Sequence, residues 1–145
     1  MPRSMNADPL FRKGLKIRKE VQGAARVTRR MRETTRYTLP LEDFTIKSAW
    51  GLVWSRPGLS RKIRSFLNLG ILTALNQPAE LKLHIGVALH HGITRDEIAE
   101  AVLHTAVYCG IPRAAEARRA MCAVFDELDA QNSKAAPRAR SRRKT

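Results

Sequence analysis

Residues 78–91 of the chain read PAELKLHIGVALHH and place one carboxylate and two of their three imidazoles on one helical face. Stepped at about 100° per residue from Glu80, His84 falls near 40° and His91 near 20°. Leu81 and Ala88 flank them on one side and Leu83 and Val87 on the other, while Lys82, Gly86 and His90 take the opposite face. The pattern predicts Glu80, His84 and His91 inside an apolar arc, where unpaired polar groups are costly. The chemistry such a set can do is proton handling. An imidazole holds a transferable proton near neutral pH, and a carboxylate four residues earlier can orient it and keep it protonated. A simpler alternative stays open: Glu80 favours the N-terminal end of its helix, with His84 as its i,i+4 partner. His91 precedes Gly92 at the helix end, where it is expected to meet the last carbonyls.

The elements that would position these residues are helical. No alternation of strand type bounded by hairpin turns occurs, and six helices are predicted. The first covers 9–22 and stops at Gly23. The second covers 41–54, carries Trp50 and Trp54 one turn apart, and breaks at Arg56-Pro57-Gly58. Ser60 caps the third, SRKIRSFLNLGILTALN, which is apolar nearly all round beyond Ser65 and must be covered on several sides, by its own domain or by other subunits. Pro78 starts the fourth, where a first-turn proline is tolerated. Thr94 and Glu97 form a capping box for the fifth, followed by Ile98, Ala101, Val102, Thr105, Ala106 and Cys109 on one stripe. Gly110 and Pro112 punctuate the switch to a last helix of about 112–129. The fold class expected is all-α, six helices around one core.

Bulk composition narrows the functional classes. The chain has 145 residues and a formal net charge of +14, but the basicity sits at the ends. Residues 1–36 hold 11 Lys/Arg against 3 Asp/Glu, residues 37–133 are balanced, and residues 134–145 hold 6 Lys/Arg and no acid. The organisation expected is a flexible 1–8, a helical domain over 9–132 and a basic disordered tail over 133–145. The tail reads as a solubilising or weakly polyanion-binding extension, and specific nucleic-acid binding is not supported. Cys109 and Cys122 form no CxxC pair and suggest reduced, buried thiols in the cytosol. No apolar run approaches membrane-spanning length, and the N-terminus lacks a signal-type apolar stretch. A glycine-rich phosphate loop, a GxSxG elbow and zinc-finger spacing are all missing, so nucleotide hydrolysis, α/β-hydrolase chemistry and zinc-finger DNA reading lack support.

Three stretches in order, AWGLVWSRPGL (49–59), IRSFLNLGILTALNQPAELKLHIGVAL (63–89) and HGITRDEIAEAVLHTAVYCGIP (91–112), resemble the carboxymuconolactone decarboxylase family. GLKIRKEVQG (14–23) resembles the opening helix of its decarboxylase members, and the likeness spans about residues 10–129. It implies the all-α, alkylhydroperoxidase D-like fold and a homo-trimer or homo-hexamer. It also implies decarboxylation of 4-carboxymuconolactone or a close lactone analogue to an enol-lactone, in the degradation of aromatic compounds. The alternative within the family is a paralogue acting on another small carbonyl substrate. A noncatalytic helical oligomer with basic, polyanion-binding ends ranks lower. Peroxidase-type relatives carry CxxCxxxH where this chain has Gln77, Glu80 and His84, so thiol redox chemistry is excluded there. Decarboxylases of the family carry an L-G-x-x-H-V-D-R-like stretch where this chain reads QGAARVTRR. Arg26 replaces the His and Thr28 the Asp, while Arg29 is retained. Arg113 replaces a small residue after Gly-Ile-Pro.

The implied reaction needs no metal, flavin or pyridoxal cofactor, because the electrons left by CO₂ flow through the ring double bond into the lactone carbonyl. The protein must supply a cation for the carboxylate that stays, a donor to the lactone oxygen and an acid for the dienolate carbon. His84 is the expected acid with Glu80 as its orienting partner. Arg64, in a mostly apolar helix, and Arg56, in the turn beside Trp54, suit a fork-like grip on a carboxylate; Arg64 alternatively pairs with an acid across a subunit contact. Trp54 is a candidate substrate wall, although it and Trp50 read more readily as core or interface. His104, with Glu100 and Tyr108 one turn to either side, is an interface residue or a second polar group of the pocket. No metal ligand set is expected.

Overall fold

The computed structural model of the chain describes residues 7–141, with side chains through position 134. The described chain divides into two compact units, one ending at Arg64 and one beginning at Ser65. Every regular element among the described residues is helical.

In the first unit, α1 (Pro9–Gln22) begins at Asp8, whose Oδ1 accepts from the backbone N–H of Leu10 at 2.8 Å and of Phe11 at 3.3 Å. It ends at Gly23, whose φ of 89° is a conformation that favours glycine. A helix that the sequence pattern does not reveal follows at once, α2 (Ala24–Glu33). It is easily missed because four of its ten residues are arginines and Val27 is its one buried residue, so its apolar stripe is short. α3 (Leu39–Thr45) then runs straight into a π-helical segment, Ile46–Trp54. One helix over 41–54 is expected from sequence; the wider π turns arise where α1 lies against it. A Cβ on Gly14 would fall 2.1 Å from the Ile46 carbonyl oxygen, and one on Gly51 would fall 2.8 Å from Leu10 Cδ1. The two backbones touch because both residues lack a side chain. Phe11, Val21, Val27, Ile46 and Trp50 are the buried apolar residues of this unit.

The second unit has its own core. α4 (Arg61–Ala74) begins before the boundary, with Ser60 Oγ accepting from the Ile63 N–H at 3.2 Å as expected for a cap. α5 (Pro78–His90) ends at His91, whose N–H closes on the carbonyls of Val87 and Ala88. α6 (Arg95–Cys109) carries the anticipated capping box: Thr94 N–H donates to Glu97 Oε2 at 2.8 Å and Glu97 N–H donates to Thr94 Oγ1 at 3.1 Å. Leu69 of α4, Leu81, Ile85 and Ala88 of α5, and Ile98 and Val102 of α6 pack with Ala117, Ala120 and Val124 of the last helix. That helix, α7 (Ile111–Ser141), continues well beyond 129, so the chain remains helical through part of the segment expected to be a tail. Residues 1–6 and 142–145 lie outside the described residues. Cys109 and Cys122 are free and half-buried. Among the described residues no helix is long and apolar enough to cross a membrane.

Candidate functional site

α4 and α5 hold the histidines between them. Ser65 and Asn68 lie three residues apart on α4, and each meets one imidazole at Nδ1, that of His84 within α5 or of His91 just past its end. Ser65 Oγ is 3.0 Å from His91 Nδ1, and Asn68 Nδ2 is 3.3 Å from His84 Nδ1. Ser65 is fully buried, whereas Asn68, His84 and His91 are half-buried. The side chain of His91 thus meets a hydroxyl, and only its backbone serves the helix end. Neither Ser65 nor Asn68 was singled out by spacing. The available signal was two hydrogen-bonding side chains interrupting an otherwise apolar helix.

The burial expected of Glu80 is not found. The residue is exposed, in the first turn of α5. The buried face of α5 centres on Leu81, Ile85 and Ala88, about 100° around the helix from Glu80. His84 stands at the margin of that face and Glu80 outside it. Treating the leucines and valines on both flanks as one apolar arc placed the carboxylate too deep.

In the first unit, Arg64 donates from Nη2 to the Arg56 carbonyl at 3.2 Å, and its Nε is buried without a hydrogen-bond partner among the described residues. The Arg56 side chain is exposed. Trp54 is half-buried and packs on buried Trp50 with ring centroids 5.1 Å apart. A charge cluster that spacing did not flag lies in the same unit. Glu42 is 4 % exposed and takes Arg18 Nη1 at 2.7 Å on Oε2 and Arg30 Nε at 2.5 Å on Oε1. Burial alone would push this carboxyl up, but the hydrogen bonds and charges of Arg18 and Arg30 outweigh it and hold it below the ordinary carboxylate value. Arg26 is exposed and Thr28 half-buried.

On α6, His104 is exposed and stacks on Tyr108 at 4.9 Å between centroids. Arg113, also exposed, lines a shallow open groove with Gln77, Pro78, Leu81 and Glu116, and none of the candidate residues borders it. No group of three or more His, Cys, Asp and Glu side chains among the described residues is arranged to hold a metal ion.

Comparison with known proteins decides the lineage. The profile described as the carboxymuconolactone decarboxylase family matches residues 40–122. The 4-carboxymuconolactone decarboxylase of Acinetobacter baylyi is 36% identical over 124 residues, covering 86% of this chain and 92% of the relative. The chain belongs to the carboxymuconolactone decarboxylase family. Its helices are those of the family's alkylhydroperoxidase D-like fold, with α2 added to the six that the pattern predicts. A nitrosuccinic acid decarboxylase of Metarhizium robertsii is 47% identical over 108 residues, covering 74% of this chain and 76% of that protein. Both relatives are named decarboxylases, which supports a decarboxylase activity in general for this family member.

Proposed function

We propose that this chain decarboxylates a small dicarboxylate whose departing electron pair is taken up by an acceptor within the substrate, 4-carboxymuconolactone being the first candidate. The bond from the quaternary ring carbon to its carboxylate breaks and CO₂ leaves. The electron pair moves through the ring double bond into the lactone carbonyl, and a proton is delivered to the dienolate carbon to give the enol-lactone. No cofactor is needed because the lactone is the electron sink.

One observation carries the assignment of the acid: the His84 imidazole is fixed at the margin of the α5 core by an amide of α4. A held imidazole of this kind is suited to proton transfer. Arg64 is the proposed anchor of the carboxylate that stays. Its guanidinium is held in place through Nη2 on the Arg56 carbonyl, and the Arg56 side chain reinforces the positive field. Trp54 supplies an apolar wall and His104 a further polar group. Glu80 is assigned to the start of its helix. A homo-trimer or homo-hexamer belongs to the same proposal, supported by the exposed row Ile63, Leu67 and Ile71 along α4.

A second substrate is favoured by the 47% identity to the nitrosuccinic acid decarboxylase. In nitrosuccinate the carbon that loses CO₂ bears a nitro group, which accepts the pair as a nitronate, and a second carboxylate again stays behind. The demands on the protein are the same: a cation and a proton donor. Arg26, Thr28 and Arg113, which depart from the lactone decarboxylase pattern, are the residues to examine if the nitro compound is preferred. Purified protein is to be given freshly generated 4-carboxymuconolactone and 2-nitrosuccinate side by side, with CO₂ release followed for both. Faster release from the lactone supports the first substrate and faster release from the nitro acid the second. Release from neither by the folded protein refutes the proposal.

A further inference from the structure

The amide nitrogen of Asn68 bears two hydrogens and offers no lone pair, so an imidazole nitrogen that meets it at 3.3 Å must be the acceptor. A neutral imidazole has one bare and one protonated nitrogen. With Nδ1 accepting, the ring proton resides on Nε2. A carboxylate in this position would do the reverse, accepting from Nδ1–H, as in the aspartate–histidine pair of the serine proteases. The chain places an amide here, on a helix whose next residue, Leu69, is buried. A half-buried amide in such company is favourable only where its hydrogens are used.

We infer that Asn68 is a positioning residue that fixes His84 as the Nε2–H tautomer and so selects Nε2 as the nitrogen that delivers the proton. The inference rests on the proposal above that His84 is the acid. A neutral imidazole serves as an electrophile toward developing negative charge. Here the Nε2 proton passes to the dienolate carbon once CO₂ has left; the imidazolate that remains takes a proton from solvent water, and the hydroxide so formed is taken up by CO₂ as bicarbonate.

The test is a long-range ¹H–¹⁵N correlation spectrum of the full-length protein carrying ¹⁵N-labelled histidine, at a pH above the imidazole titration. The chain has four histidines, and His84→Gln identifies the signals of His84. The wild-type protein is expected to show His84 with Nε2 protonated, and Asn68→Asp is expected to move that proton to Nδ1 while the other three rings keep their patterns. Asn68→Leu is expected to lower kcat about tenfold or more with KM within about twofold, since the ring is retained and only its proton placement is released. A wild-type spectrum with Nδ1 protonated overturns the inference without need of any variant. So does an unchanged Nε2–H pattern in Asn68→Asp. If His84 behaves as expected and neither substrate is turned over, the functional proposal falls and the assignment of Asn68 stands. If turnover occurs with His84 in the Nδ1–H form, only the assignment of Asn68 falls.

Discussion

Glu80 and His84 stand one turn apart on α5 yet meet different surroundings, solvent for the carboxylate and an α4 amide for the ring. Proximity along a helix is worth only a few tenths of a kcal/mol to an exposed pair. Glu80→Gln is therefore expected to leave kcat within about twofold and to cost no more than about 1 kcal/mol, the size of a first-turn charge effect; a kinetic and thermal comparison with the wild type checks both. A fall of a hundredfold in kcat would return Glu80 to the proton relay. His84 was visible in the sequence because an imidazole among aliphatic residues is conspicuous. Asn68 was not, because its partner lies on another helix and one-dimensional spacing carries no information about which helices touch. The depth of Glu80 failed for a related reason. An arc with aliphatic residues on both flanks does not say which flank is buried, and Leu81, Ile85 and Ala88 settle it only once the core is assembled.

Among the elements, the crossing of α1 with the π-helical segment is the least tolerant of change. Gly14→Ala places a methyl group against a backbone oxygen, and a loss of about 3 kcal/mol or more is expected from such overpacking, measured by urea unfolding. Retention of wild-type stability would mean that the crossing relaxes freely. The cluster around Glu42 makes a prediction about pH. Its folded-state carboxyl titrates below the ordinary value near 4.5, so its stabilisation is complete above that value and is lost as pH falls through the folded one. The thermal midpoint should drop on acidification below about pH 4.5, and Glu42→Gln should flatten that drop. The variant also leaves the charge of Arg18 buried without its partner, at a cost of about 3 kcal/mol at neutral pH. An acid limb identical to that of the wild type would remove Glu42 from this role. The capping box of α6 and the glycine stop of α1 were legible because caps are local chemistry. α2 and the π turns were not, since a short arginine-rich helix that buries only Val27 has a weak apolar signal and a π turn depends on a neighbouring backbone.

Over the whole molecule, apolar surface and charge are divided unevenly. The row Ile63, Leu67 and Ile71 is about half exposed at each position, at 47%, 49% and 52%, while residues 1–36 carry a net charge of +8. In the proposed oligomer this row is covered by another copy. Leu67→Lys with Ile71→Lys should then dissociate the assembly, read by sedimentation velocity, while changing the stability of the single chain little because both positions are exposed within it. An unchanged assembly in the double variant would place the interface elsewhere. The central claim is most directly tested by the rate of CO₂ release from 4-carboxymuconolactone or 2-nitrosuccinate, whichever the wild type prefers, by the wild-type protein and by His84→Gln under the same conditions. A fall in kcat of at least about 100-fold, with helical content and assembly unchanged, is the expected result. Equal rates from the two proteins would contradict the assignment of His84 as the acid.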